Sequence, residues 1–308
     1  METGDAFESL RPLMFSIAYR MLGSVTEAED VVQETFLRYH RALSEGAEIE
    51  SAKAYLSAVI TRLSIDQLRS ARARRETYVG EWLPEPLLTD ERSTDPAGHA
   101  EQADSLSMAF LLLLERLSPV ERAVFLLHDV FGYGYGEVAQ IVDKSEDNCR
   151  QLALRSRRHI EQDKPRFEAS RQEREQLAAR FFAAVGGGKM DGLVELLAAD
   201  VVVYGDSGGT SPSWPQPIVG RERVARLLIG LGRQVGELGV TLRPAEVNGQ
   251  PGALVVDPDG GLVSVFALDI ADGVVQTVRS IINPDKLRHL GPLADARGLL
   301  RRRTRPDA

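Results

Sequence analysis

The sequence predicts a multidomain protein: two all-α modules, the second carrying a helix-turn-helix, followed by an α+β domain on a curved antiparallel sheet. Three observations predict it. Helical apolar periodicity fills residues 5–76 and returns from Leu106 to about Ile160. A Pro-containing, acid-rich stretch separates those two regions. Beyond Pro165, helices give way to β-rich segments joined by hairpin signals. A chain of 308 residues accommodates two or three domains of ordinary size.

In the first module Leu13, Ile17 and Met21, and then Val32, Phe36, Tyr39 and Leu43, recur at helical spacing. Thr26 followed by Glu29 reads as a capping box opening the second helix. A third helix runs from Ala52 through Leu56, Val59 and Leu63 to Leu68. After Gly80 the pattern dissolves: Glu81 to Asp104 holds seven acids and a single base, Arg92. Within it, Trp82-Leu-Pro-Glu-Pro-Leu87 places a large aromatic beside two prolines that stiffen the backbone, so this segment is expected to dock rather than to flex.

In the second module Gly136 to Ser145 is followed by an Arg-rich helix. Val138 and Ile141, with small Ala139 permitting close approach, pack on Cys149 and Leu152, and Ser145 caps the second helix. That arrangement turns Asn148, Gln151 and Arg155 outward, where a recognition helix reads base edges, and flanks them with Arg150, Arg157 and Arg158 as phosphate contacts. Spacing alone also fits a solvated Arg-rich helix in a bundle. Cys149 reads as core filler and His128 as a satisfied, semi-buried histidine.

The C-terminal region contains helices at Glu173 to Val185, at Asp191 to Leu197 and after Gly220. Strands follow at Ala253 to Val256, Leu262 to Ile270 and Val274 to Ile282, with turns at Asp257 to Gly261 and Ala271 to Gly273. Gly186-Gly-Gly-Lys189 ends a helix; as a phosphate loop it lacks the preceding strand and the Ser or Thr after Lys. The expected boundaries are 1–80 and 105–164 for the helical modules, 81–104 for the linker, 165–288 for the α+β domain and 289–308 for a basic tail.

The formal charge of −8 argues against nucleic acid only as an average, since much of the acid excess sits in the linker and basic clusters flank it. The apolar stretch Ala109 to Leu114 is too short to cross a bilayer, so a cytoplasmic protein without a membrane partner is expected. One cysteine and five scattered histidines give no ligand spacing, and neither a metal nor a cofactor is expected.

SPVERAVFLLHDVFGYGYGEVAQIV resembles the start of sigma region 4, and AYRMLGSVTEAEDVVQETFLRYHRA resembles sigma region 2. Their order and separation are similar to those of extracytoplasmic-function sigma factors. The resemblance implies an alternative sigma factor, not an enzyme, whose partners are core RNA polymerase and promoter DNA. It assigns Asp30, Gln33, Glu34 and Leu37 to polymerase docking. It assigns Lys53, Tyr55, Arg62, Arg69, Arg72, Arg74 and Arg75 to the minus-ten element, and the Ser145-capped helix to the minus-thirty-five element. From spacing alone the Asp30 face also reads as merely solvated, and Tyr55 equally as core.

WLPEP is similar to the linker motif of a subgroup that carries a C-terminal SnoaL-like, cone-shaped domain. Asn283-Pro284-Asp285-Lys286-Leu287 matches a second signature of that subgroup; by itself it is an Asx-type turn leading into a last helix. Where the subgroup has Asp-Gly-Gly-Gly-Lys, this chain has Asp206-Ser-Gly-Gly-Thr210, which keeps the glycine turn and loses the lysine. The resemblance implies that Trp82, Leu83, Pro84, Glu85, Pro86, Asp206 and the Asn283 to Leu287 segment are regulatory contacts. Two rival readings stay open. A SnoaL-like isomerase or cyclase would hold a small-molecule ligand in a cavity lined by Tyr204, Asp206, Trp214 and Asp269, although no paired-carboxylate or His-Asp spacing supports catalysis. A one-component ligand-sensing helix-turn-helix regulator would not need the Asp30 to Phe36 docking face.

Overall fold

In the computed structural model the described residues are 3–89, 104–161, 170–209, 214 and 216–295. The acidic stretch after Thr89, the connection Asp163-Lys164-Pro165, Thr210 and the basic tail after Asp295 lie outside them. The chain divides into two compact units, Met1–Thr77 with Phe110–Lys164, and Tyr78–Ala109 with Pro165–Ala308.

The helices of the first half are α1 (Thr3–Leu22), α2 (Val25–Ser44), α3 (Ala52–Glu76), α4 (Met108–Leu114), α5 (Pro119–Phe125), α6 (Tyr135–Val142) and α7 (Glu146–Glu161). A π-helical turn, Leu126–Val130, extends α5. Buried Met14, Ile17, Met21, Val32, Leu56 and Ile60 form the core of α1–α3. The cap of α2 is Ser24, not Thr26: Gly23 ends α1 with φ 66°, and Ser24 alone takes the extended backbone an N-cap needs, accepting from the Glu27 amide at 3.1 Å. Ser118 opens α5 with a capping box to Glu121 and Pro119 in the first turn.

Buried polar groups tie the two helical modules of this unit together. Arg122, 1% exposed, donates from Nε to the Leu114 carbonyl at 2.9 Å and from Nη1 to the Met21 carbonyl at 2.8 Å. The Ser57 and Tyr133 hydroxyls meet at 2.7 Å.

The second unit contains α8 (Arg171–Gly186), α9 (Met190–Glu195), β1 (Leu197–Asp206), β2 (Ile218–Val219), α10 (Arg221–Glu237), β3 (Thr241–Val247), β4 (Gln250–Val256), β5 (Leu262–Ala271), β6 (Val274–Ile281) and α11 (Pro284–Leu287). The sheet order is β2-β1-β6-β5-β4-β3. It is mixed rather than antiparallel, because the β5–β6 hairpin turns β6 to run alongside β1 in parallel. Register shifts in β1–β6, β4–β5 and β5–β6 are the irregularities that curve such a sheet. The helix expected to reach Leu197 ends at Glu195, and Leu197 opens β1. Phe181, Leu193, Val203, Val224, Leu228 and Val278 pack the helices onto the concave sheet. Among the described residues no helix is long and apolar enough to cross a membrane.

Candidate functional site

On α2, Val31, Val32, Thr35 and Tyr39 are buried, and Asp30, Gln33 and Leu37 emerge on the other side. Leu37 is 50% exposed, an apolar residue set within a polar face. Glu34 is partly exposed and accepts from Arg38 Nε at 2.8 Å one turn on.

Along α3, Lys53 is exposed with its ammonium 5.1 Å from the Tyr133 ring centroid, and Tyr55 is half-buried against Tyr39. Arg62 is exposed, and part of its guanidinium is engaged by the protein. Its Nε donates to the Ile141 carbonyl and its Nη2 to the Gln140 carbonyl, both at 2.8 Å. The physical reason is local: α6 ends at Val142, its last carbonyls lack intrahelical partners, and a cation at that end is favoured by the helix dipole. Arg69 is exposed and pairs with Asp66 at 3.1 Å. The side chains of Arg72, Arg74 and Arg75 lie outside the described residues.

The helix-turn-helix is formed by α6 and α7. Asp143, with a left-handed φ of 55°, ends α6, and Ser145 accepts from the Asn148 amide at 3.2 Å. Cys149, Ala153, Ser156 and Ile160 form the buried stripe of α7, whereas Leu152, expected inside, is half-buried. Burial, with Glu146 adding to it, pushes the Cys149 thiol up, which suits a packing residue and not a nucleophile. Asn148, Gln151, Arg155 and Arg158 are exposed. Leu154, which the sequence reading missed, is exposed among them; its signal was the i+3 spacing from Gln151. Two expected phosphate contacts are engaged by the protein. Arg150 pairs with Glu146 and Asp147 and lies 5.4 Å from the Tyr135 ring centroid, and Arg157 donates to Asp129 at 2.6 Å. His128 meets the Tyr133 carbonyl at 2.8 Å and stacks on Tyr135.

In the second unit the WLPEP segment lies on the C-terminal domain, with Leu83, Pro84, Glu85 and Pro86 buried. Asp206, at the end of β1 and fully buried, accepts from the Leu83 amide at 2.8 Å, from the Tyr78 hydroxyl, and from Lys286 Nζ at 2.6 Å. Lys286 also donates to the Leu83 carbonyl, and its ammonium lies 4.5 Å from the Trp82 ring centroid and 4.9 Å from that of Tyr78. The cation that the Asp206 turn lacks within its own loop thus arrives from α11. Burial first, and then the bond to Asp206, pushes the Tyr78 phenol well up, so it remains a neutral donor.

Asn283 caps α11 through the Asp285 amide and donates to Tyr78 at 2.8 Å. Gly208 and Gly209 permit this closeness: both have positive φ, and a Cβ on Gly208 would stand 2.5 Å from Asn283 Nδ2. Farther along, the Leu87 amide donates to Asn248 Oδ1 at 3.0 Å, the Asn248 amide to the Leu87 carbonyl at 2.7 Å, and the Thr89 amide to the Glu246 carbonyl at 3.1 Å. Leu88 bridges Val247 antiparallel, so the linker prolongs the sheet beyond β3. His289 meets the Pro86 carbonyl at 2.8 Å. Sequence reasoning missed Tyr78, Asn248 and His289; only Asn248-Gly249, a hairpin pair with φ 53° and 70°, carried a signal.

The concave side of the sheet encloses a cavity of about 500 Å³, lined by Phe181, Trp214, Leu227, Leu231, Leu238 and Phe266 among others. Of the residues expected there, Trp214 lines it. Tyr204, Asp206 and Asp269 are not among the described lining residues: Asp206 is committed to the linker, Asp269 pairs with Arg279, and that guanidinium lies over Tyr204.

Three family profiles match in series. Residues 6–74 match Sigma-70 region 2, residues 107–160 match Sigma-70 region 4, and residues 178–279 match the SnoaL-like domain. A match to region 2 as well as region 4 does not fit the one-component regulator. The ECF RNA polymerase sigma factor SigJ of Mycobacterium tuberculosis is 37% identical over 93% of this chain and 93% of its own length. The probable ECF sigma factor SigI of the same species is 31% identical over 92% of this chain and 93% of its length. The crystal structure of SigJ superposes with a TM-score of 0.74 at 34% identity, covering 95% of this chain and 100% of that one. With two sigma modules in order, a fused SnoaL-like domain and such relatives along nearly its whole length, this chain belongs to the extracytoplasmic-function sigma factors, alternative factors that direct transcription initiation.

Proposed function

We propose that the C-terminal domain regulates this sigma factor from within the same chain, by holding the segment that joins its two sigma modules. The observation that carries the reading is the clasp on residues 78–89, buried at Leu83 to Pro86 and fastened through Asp206, Asn248, Lys286 and His289. A tether held at several points along its length loses the freedom an open linker would have, and so sets the reach available to the modules at its two ends. In this reading the Asp30, Gln33 and Leu37 face, with Glu34, docks on core polymerase. The outer face of α7 reads the upstream promoter element, and the basic end of α3 serves the minus-ten element. Such a factor acts in the cytoplasm.

Among the described residues its cavity is lined mainly by apolar side chains, with Gln234, Ser264 and Ser280 among them. The same lining suits an apolar small molecule. Transcription by core polymerase reconstituted with the full-length chain, or with its Trp82→Ala or Asp206→Asn variant, tests the regulatory reading. The expected result is altered promoter output at unchanged polymerase affinity. Identical output from all three would reduce the domain to a passenger. For docking, Asp30→Lys with Glu34→Lys is expected to abolish co-purification with core polymerase at unchanged helicity; undiminished binding refutes that surface.

A further inference from the structure

On α7 the buried stripe Cys149, Ala153, Ser156 and Ile160 fixes which way the helix faces, and the opposite side carries Gln151, Leu154 and Arg158 at i, i+3 and i+7 spacing. Leu154 stands 49% exposed in the middle of that stripe. An isolated surface leucine needs no explanation by itself. This one, however, is bracketed one turn to either side by Gln151 and Arg158, with exposed Arg155 beside it. A leucine among base-reading side chains has no hydrogen bond to give. The apolar feature a major groove offers it is the C5-methyl of thymine.

We infer that Leu154 is a specificity-determining residue of the promoter interface, covering a thymine methyl group in the upstream element between the positions read by Gln151 and Arg158. The inference rests on the proposed reading that α7 is the helix facing promoter DNA. Gln151 and the arginines supply hydrogen bonds to base edges and phosphates. Leu154 supplies the one contact that separates thymine from cytosine without a donor or acceptor, and it excludes water from that step of the groove.

Holoenzyme assembled from core polymerase and the full-length chain first enriches an upstream element from a randomised duplex pool. Each thymine of that element is then replaced by deoxyuridine, which removes the methyl and keeps every hydrogen-bonding edge. At one thymine the wild-type holoenzyme is expected to lose about fourfold in affinity, the equivalent of one buried methyl group. Leu154→Ala is expected to be indifferent to that replacement, and Leu154→Met to keep the discrimination. An enriched element in which no thymine responds to methyl removal, or a response that survives in Leu154→Ala, overturns the inference. Gln151→Ala separates this failure from that of the underlying reading. If Gln151→Ala changes base preference while Leu154→Ala does not, Leu154 alone is misassigned. If neither variant changes preference at any upstream position, α7 is not the reading helix and both conclusions fall.

Discussion

Asp206 concentrates the energetics of the linker clasp in one carboxylate. It has no exposed surface, and its charge is balanced by Lys286, whose side chain is itself only 8% exposed. Removing one member of such a pair leaves an uncompensated buried charge, which is worse than removing both. Lys286→Met is therefore expected to destabilise the second unit by about 3 kcal/mol in denaturant unfolding. Adding Asp206→Asn to it is expected to recover part of that loss, and strict additivity of the two would refute the coupling. At α5, Ser118→Ala removes a cap and is expected to cost about 1 kcal/mol. Burial there pushes the Glu121 carboxyl up, but the Ser118 hydrogen bonds outweigh it and hold the group below its usual range. A lowered acid stabilises the fold above its ordinary titration range, and this contribution is lost as pH falls through the lowered value. The stability difference between wild type and Ser118→Ala is accordingly expected to shrink in acid.

At the scale of elements, the linker behaves as an added strand. Leu88 pairs with Val247, and the Thr89 amide donates to Glu246, covering an edge that would otherwise present unpaired groups. Thr89→Pro deletes that donor and is expected to speed hydrogen exchange in peptides covering 80–89 and 241–250, without change in α2. Unaltered exchange there would show that the pairing contributes little. The docking of WLPEP was legible because a tryptophan beside two prolines has little use in an open linker. Its receptor was legible only in part. Asp206 and Asn283 to Leu287 were flagged by resemblance, while Tyr78 and His289 had no local pattern to mark them. Strand β3 escaped notice because Thr241–Val247 contains Pro244 and Glu246 and is largely exposed, as edge strands are. The parallel pairing of β1 with β6 joins residues far apart in the chain, which no window of periodicity can reveal. Likewise the exposed face of α7 followed from spacing, but the engagement of Arg62 by α6 is a tertiary choice made by two unsatisfied carbonyls.

At the scale of the molecule, the two units have separate cores and very different reporters. Both tryptophans, Trp82 and Trp214, belong to the second unit, whereas most of the long helices belong to the first. Denaturation followed by tryptophan fluorescence is therefore expected to have a different midpoint from that followed by far-ultraviolet circular dichroism. Coincident curves would mean that the units unfold as one cooperative body.

The clasp also joins segments made at very different times. The linker leaves the ribosome before the second sigma module, but Asp206, Asn248 and Lys286 follow only much later in the chain. At about 5–20 residues per second, synthesis from Lys164 to His289 takes on the order of ten seconds. Throughout that interval the nascent chain carries every residue of the first unit, while Trp82 and the prolines beside it still have no sheet to lie on. Each newly made molecule thus passes through a brief youth with its linker unfastened, and the clasp closes only once residues as late as His289 have been made.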